Sequence, residues 1–155
     1  MGNRGLLLLL GLRTVSRLRG INHRLIGALG GRTVGVRMVV WRRGQVCLIR
    51  HSYGDRRAWM VPGGAVDWRE SPMAAAMRET AEEVGISDLT GVRLVEAYRH
   101  RLNWGEDVVI VYAAQTEAEA HCASPEIAEV TWADPAALPG ATTERTRHLV
   151  AASMA

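Results

Sequence analysis

Three glutamates, Glu79, Glu82 and Glu83, stand at i, i+3 and i+4, so in a helix their side chains share one face. Like charges that close repel by a few tenths of a kcal/mol per pair, roughly, in an isolated helix, and by more in a partly dry cleft. Arg78 lies one turn before Glu82. It is expected to point away from the shared face and to neutralise only one carboxylate. A divalent cation with oxygen ligands answers the repulsion better, and Mg²⁺ is the usual choice where phosphate oxygens complete the shell. The competing reading is a solvated glutamate-rich face that binds nothing.

The element that must carry these side chains has clear ends. Ser71 can cap free backbone N–H groups, and Pro72 suits the first helical position. Helix formers run from there to Val84, and Gly85 supplies a left-handed stop. Upstream, Gly63 and Gly64 form a diglycine turn after Trp59-Met60-Val61-Pro62. Strand, turn and helix thus make one unit.

From Gly64 the residues fit G-x5-E-x7-R-E-U-x-E-E-x-G-U, with Glu70, Arg78, Glu79, Glu82, Glu83, Gly85 and Ile86 in place. Only Thr80 departs, standing where a bulky aliphatic residue is commoner. The segment closely resembles the Nudix box, and the flanking pattern suits a Nudix domain over residues 31–155. The resemblance implies an α+β fold, a Nudix-like α/β/α sandwich around a mixed β-sheet. It also implies a Mg²⁺-dependent pyrophosphohydrolase, Mn²⁺ able to substitute, in which water breaks a phosphorus–oxygen bond in the diphosphate of a nucleoside diphosphate derivative. In that scheme the Gly63 carbonyl is a metal ligand, and Glu82 and Glu83 are the principal carboxylate ligands. Glu79 is a ligand or the base that orients water. Gly64 allows close backbone approach, while Glu70 and Arg78 hold loop and helix in register. A further glutamate often reaches the metals from the loop before a tryptophan-bearing strand, and Glu126 fits that place, with Glu117, Glu119 and Glu129 as rivals.

Residues 1–57 hold twelve of the nineteen arginines and one acid, Asp55. Such a basic segment suits a phosphate-bearing partner, although nucleic acid or anionic lipid would also be attracted by charge alone. The resemblance points to a nucleotide-type small molecule, with no nucleic acid expected. Cys47 and Cys122 have neither metal-type spacing nor the number of a disulfide framework, so reduced thiols in the cytoplasm are expected.

Residues 1–30 read as a basic amphipathic helix. Leu8, Leu12, Val15, Leu18, Leu25, Ile26 and Leu29 gather opposite Arg13, Arg17 and Arg24, and Gly30-Gly31 reads as a hinge. The apolar run is too short to span a bilayer. Packing on its own domain, packing in a homodimer and attachment peripheral to a membrane are all open. From Thr33 the pattern turns to strand: a hairpin through Arg42-Arg43-Gly44, a second hairpin through Asn103-Trp104-Gly105-Glu106, a strand ending near Trp132, and a closing helix from Thr142 to Met154. Strands flanked by helices imply a mixed sheet covered on both faces. Arg50, His51, Arg56 and Arg57 surround the loop before the box and are candidate phosphate-binding residues, with Trp104 a candidate for stacking on a base. The substrate stays open among nucleoside triphosphates, ADP-ribose and nucleotide sugars. Two other classes compete: a catalytically weak nucleotide-binding module, which predicts eroded glutamates, and a membrane or partner adaptor working through residues 5–29.

Overall fold

Alternation with a period of two runs through Thr33–Arg42, and it sorts the strand between two cores. Val36, Met38 and Val40 face one side with Cys47, Ile49 and the buried residues of the box helix. Val39 faces the other with Val46, Leu48, Trp59, Val109, Val111 and Leu149. The computed structural model describes residues 33–102 and 105–154. The expected N-terminal helix over residues 1–30 and the turn residue Trp104 lie outside the described residues. Among the described residues no helix is long and apolar enough to cross a membrane.

The elements are β1 (Thr33–Arg42), β2 (Gln45–His51), α1 (Pro72–Val84), β3 (Thr90–Leu102), β4 (Gly105–Gln115), β5 (Ile127–Ala133) and α2 (Glu144–Ala152). The five strands form one mixed sheet in the order β3-β4-β1-β2-β5. β1 runs parallel to β4, from Thr33 beside Asp107 to Trp41 beside Gln115. The β2–β5 and β3–β4 pairs are antiparallel. With α1 on one face and α2 on the other, this is the expected α/β/α sandwich.

The first hairpin turns on Arg43 and Gly44, both at positive φ (50° and 79°), the two-residue geometry whose twist suits antiparallel strands. β1 and β2 pair only at Trp41–Val46 and Arg42–Gln45. Beyond that the segment 60–66 enters between them. Met38 N–H and Val36 N–H donate to the carbonyls of Pro62 and Gly64 at 2.9 and 2.8 Å, and Val66 N–H donates to Val34 O at 3.0 Å. On the other side Met60 and Ile49 exchange backbone bonds of 3.0 and 2.8 Å. Gly63 and Gly64 are thereby set inside the sheet.

α2 is anchored to the same segment: Trp59 N–H donates to Ala141 O, and Thr143 N–H donates to Trp59 O. Thr143 is its cap, accepting from Thr146 N–H at 3.1 Å. Cys47 is fully buried, with its thiol pushed up to about 12 by burial and then by Glu83, whereas Cys122 is exposed. A thiol-specific reagent at pH 8 is therefore expected to titrate one cysteine in the native protein and two in denaturant. Rapid native reaction of both would show that the sheet opens at Cys47.

Candidate active site

α1 begins and ends as its sequence directs. Ser71 Oγ accepts from Ala74 N–H at 3.2 Å with Pro72 following. Gly85 takes φ 73° and donates its N–H to Ala81 O at 3.1 Å. A Cβ at Gly85 would also stand 2.1 Å from the His121 ring. Thr80, the irregular box position, is buried and donates its hydroxyl to Ala76 O at 2.7 Å. Its polarity is satisfied within the helix, so the core tolerates it.

Arg78 differs from expectation. It does not point away from the carboxylates but joins them. Nε donates to Glu70 at 2.9 Å, and Nη2 donates to Glu70 at 3.0 Å and to Ala65 O at 2.9 Å. Nη1 lies 2.6 Å from Glu79 and 3.6 Å from Glu82. A helical arginine reaches back over the preceding turn, which a count of wheel positions does not show. Burial opposes its charge, and hydrogen bonds from Glu70 and Glu79 outweigh burial, so its pKa is raised. One planar guanidinium thus ties the loop, the diglycine segment and two of the three glutamates together.

The third glutamate takes a different environment. Glu83 is buried, and its carboxylate accepts from Gly63 N–H at 2.9 Å. The Gly63 carbonyl accepts from Arg37 Nη1 at 3.0 Å. Gly63 is sterically required here, because a Cβ would stand 2.1 Å from the main-chain Val36 O; one at Gly64 would stand 2.4 Å from the Glu79 carboxylate carbon and would displace that side chain. Burial raises Glu83 to about 8, against the Gly63 hydrogen bond and Arg37, which lower it; Glu79 and Glu126 add to the rise.

Among the described residues no three His, Cys, Asp or Glu side chains converge as a ready-made metal centre. The donor types nevertheless fit a hard divalent cation: carboxylates at Glu79, Glu82 and Glu83 beside the Gly63 carbonyl, with a desolvated carboxylate that a cation would favour in its charged form. Glu79 and Glu82 contact Arg78, and the Gly63 carbonyl accepts from Arg37.

A cavity of about 630 Å³ opens on the α2 side of the diglycine, lined among others by Gly35, Arg37, His51, Tyr98, Asp107 and Arg145. Of the four described residues expected to bind substrate, only His51 lines it. Its pKa is lowered, first by burial and then by Arg37, with Glu126 acting the other way. Arg50 pairs with Glu129 and stacks 4.9 Å over the Trp59 ring, a pairing set by the β2–β5 register. Arg56 and Arg57 are exposed and are not among the lining residues. Glu126 ends the loop before β5, with a carboxylate oxygen 3.5 Å from the Tyr53 hydroxyl and a charge that reaches Glu83. Its rivals are engaged elsewhere: Glu117 with Arg43, Glu119 with Arg42, and Glu129 with Arg50. Arg37, Tyr98, Asp107 and Arg145 were not singled out from sequence. The signal for Arg37 was a lone charge inside the apolar run TVGVRMVVW.

The NUDIX domain family model matches residues 31–152. A crystal structure of a MutT NUDIX hydrolase from Burkholderia pseudomallei aligns with 30% identity and a TM-score of 0.70, covering 77% of this chain and 96% of that one. The NUDIX domain of Shewanella oneidensis NrtR, complexed with ADP ribose, aligns with 19% identity and a TM-score of 0.67, covering 80% and 87%. The dihydroneopterin triphosphate pyrophosphohydrolase of E. coli aligns with 19% identity and a TM-score of 0.65, covering 76% and 91%. Comparison with curated protein sequences gave no match. The chain belongs to the NUDIX family, and it is a hydrolase acting on phosphoanhydride bonds.

The raised Glu83 pKa carries a stability consequence. Between the ordinary value of 4.5 and about 8 the native state keeps a proton that the unfolded chain releases, so native stability falls as pH rises through this window. In EDTA, the melting temperature is expected to drop between pH 5 and 8, and Glu83→Gln is expected to flatten that drop. Parallel pH profiles for the two proteins would show that Glu83 titrates normally.

Proposed function

We propose that the chain is a Mg²⁺-dependent pyrophosphohydrolase that cleaves the diphosphate of a nucleoside diphosphate derivative, with Mn²⁺ able to replace Mg²⁺. The observation that carries this reading is the diglycine opening. On one side Glu83 and Glu79 meet Gly63 and Gly64, and on the other the same residues line a cavity that contains Arg37.

Glu79, Glu82, Glu83 and the Gly63 carbonyl would hold the cation, with Glu126 added from the β5 loop. A cation held there would neutralise charge on the phosphoryl oxygens and make water a better nucleophile. Arg37 and Arg145 meet the phosphates at the cavity wall. Glu79, bonded to Arg78, would accept a proton from water. His51, its pKa lowered by burial, serves as a hydrogen-bonding group rather than a charge. Nucleoside triphosphates, ADP-ribose and nucleotide sugars are the candidate substrates; the E. coli and Shewanella relatives are named for a triphosphate and for ADP ribose. The reading places the protein in the cytoplasm with Cys47 and Cys122 reduced, and gives residues 5–29 to a membrane surface or a second copy.

A second reading, a nucleotide-binding module of weak activity, draws on one observation: Arg37 and Arg78 already engage the Gly63 carbonyl and Glu79. A screen of the three substrate classes with Mg²⁺ and Mn²⁺, reading phosphate products and binding in parallel, separates the two. Under the first reading Glu82→Gln and Glu83→Gln each lower turnover by at least about a hundredfold while the fold is kept. Glu126→Gln lowers kcat with little change in KM. Mg²⁺ raises the melting temperature of the wild type more than that of Glu82→Gln. Tight nucleotide binding without turnover would instead select the second reading.

A further inference from the structure

The cavity has two chemically different ends, and the sheet register measures their separation. Thr33 of β1 lies beside Asp107 of β4, which lies opposite His100 of β3. Two residues further along β1, Gly35, Val109 and Tyr98 form the next row, and Arg37 starts the row after that. These residues share the α2 face of the sheet, because directly paired residues lie on one side and the period is two. Thr33 and Arg37 are four residues apart, so roughly 13 Å of strand separates the two ends.

At the near end Arg37 bonds the Gly63 carbonyl beside the box glutamates. At the far end Asp107 Oδ1 and Thr33 Oγ1 are both buried without a hydrogen-bond partner among the described residues, and both residues line the cavity. Buried polar atoms are rarely left so, and a carboxylate oxygen can only accept. The middle row is low on one side because Gly35 has no side chain, and a Cβ there would stand 3.1 Å from Asp107 Oδ2. An anionic far end also repels phosphate. A nucleotide is therefore oriented with its phosphates toward Arg37 and its base toward Asp107.

Resting on the reading of this cavity as the nucleotide site, we propose that Asp107 and Thr33 read a base edge with a ring N–H next to an exocyclic amino group, the arrangement in guanine. Both groups donate to the carboxylate, and the neighbouring carbonyl accepts from the Thr33 hydroxyl. Adenine and cytosine place an unprotonated ring nitrogen beside the amino group, so a lone pair would face the carboxylate. Uracil and thymine flank their single ring N–H with carbonyl oxygens, which the carboxylate repels. Their discrimination follows from the cost of unpaired and opposed polar groups in a dry site.

Calorimetric titration of the full chain with GDP, ADP, CDP and UDP in EDTA tests this without turnover. GDP is expected to bind at least about tenfold more tightly than the others. Asp107→Asn, which keeps the shape but presents one donor and one acceptor, is expected to weaken GDP at least about tenfold and to strengthen ADP. Thr33→Val gives a second variant, expected to weaken GDP and to leave ADP within about twofold. Equal binding of the four diphosphates by wild type, or equal weakening of all four by either variant, overturns the proposal. Guanine preference in binding, with no triphosphate, ADP-ribose or nucleotide sugar hydrolysed in Mg²⁺, would leave this site standing and overturn the hydrolytic reading. Hydrolysis of all nucleotides without base preference would do the reverse.

Discussion

Backbone hydrogen bonding around the segment 60–66 governs the geometry of this molecule. A buried peptide group must find a partner, and β1 and β2 separate after two residue pairs, leaving unpaired edges inside the sheet. The segment satisfies both edges at once, bonding β1 through Pro62 and Gly64 and β2 through Met60. At the narrowest point the main-chain Val36 O leaves no room for a side chain at Gly63, and the Glu79 carboxylate closes in on Gly64. Helix α2 hangs from the same segment through Trp59. The cavity wall and the carboxylates consequently take their positions from one set of main-chain bonds.

Charge is then distributed by two arginines with separate duties. Arg78 lies under the box, bonded to Glu70, Glu79 and a main-chain carbonyl, and removes the repulsion that a bare row of glutamates would carry. Arg37 stands across the sheet and bonds the Gly63 carbonyl, while its charge reaches Glu83 and His51. Glu83 sits in a dry place, and burial raises its pKa against the opposing pull of Arg37.

Local signals made the box legible. Cap, proline, helix formers and left-handed glycine lie within a few residues of what they control, and α1 starts and stops where they say. Strand pairing in both hairpins was likewise readable, because turn residues and alternation are neighbours in sequence. What stayed out of reach was non-local. Arg50 looked like a loop cation, yet its partner Glu129 arrives from a strand nearly eighty residues later. Arg37 read as a strand residue and Asp107 as the residue between a turn and a strand, but the role proposed for them depends on which sheet face α2 leaves open, and no spacing encodes that. Arg78 was misjudged for a third reason, since wheel positions locate Cβ atoms and not the reach of a long side chain.

Carboxylates on α1 and the rows of Tyr98, His100 and Asp107 belong to opposite faces of the sheet and share few atoms beyond the two glycines. Side-chain replacements in those outer rows leave the packing beneath α1 untouched, because Ala75, Ala76 and Val84 rest on the other face. Substitutions on β3 and β4 can therefore accumulate during descent without disturbing the seat of α1, so the two faces of the sheet are free to diverge independently.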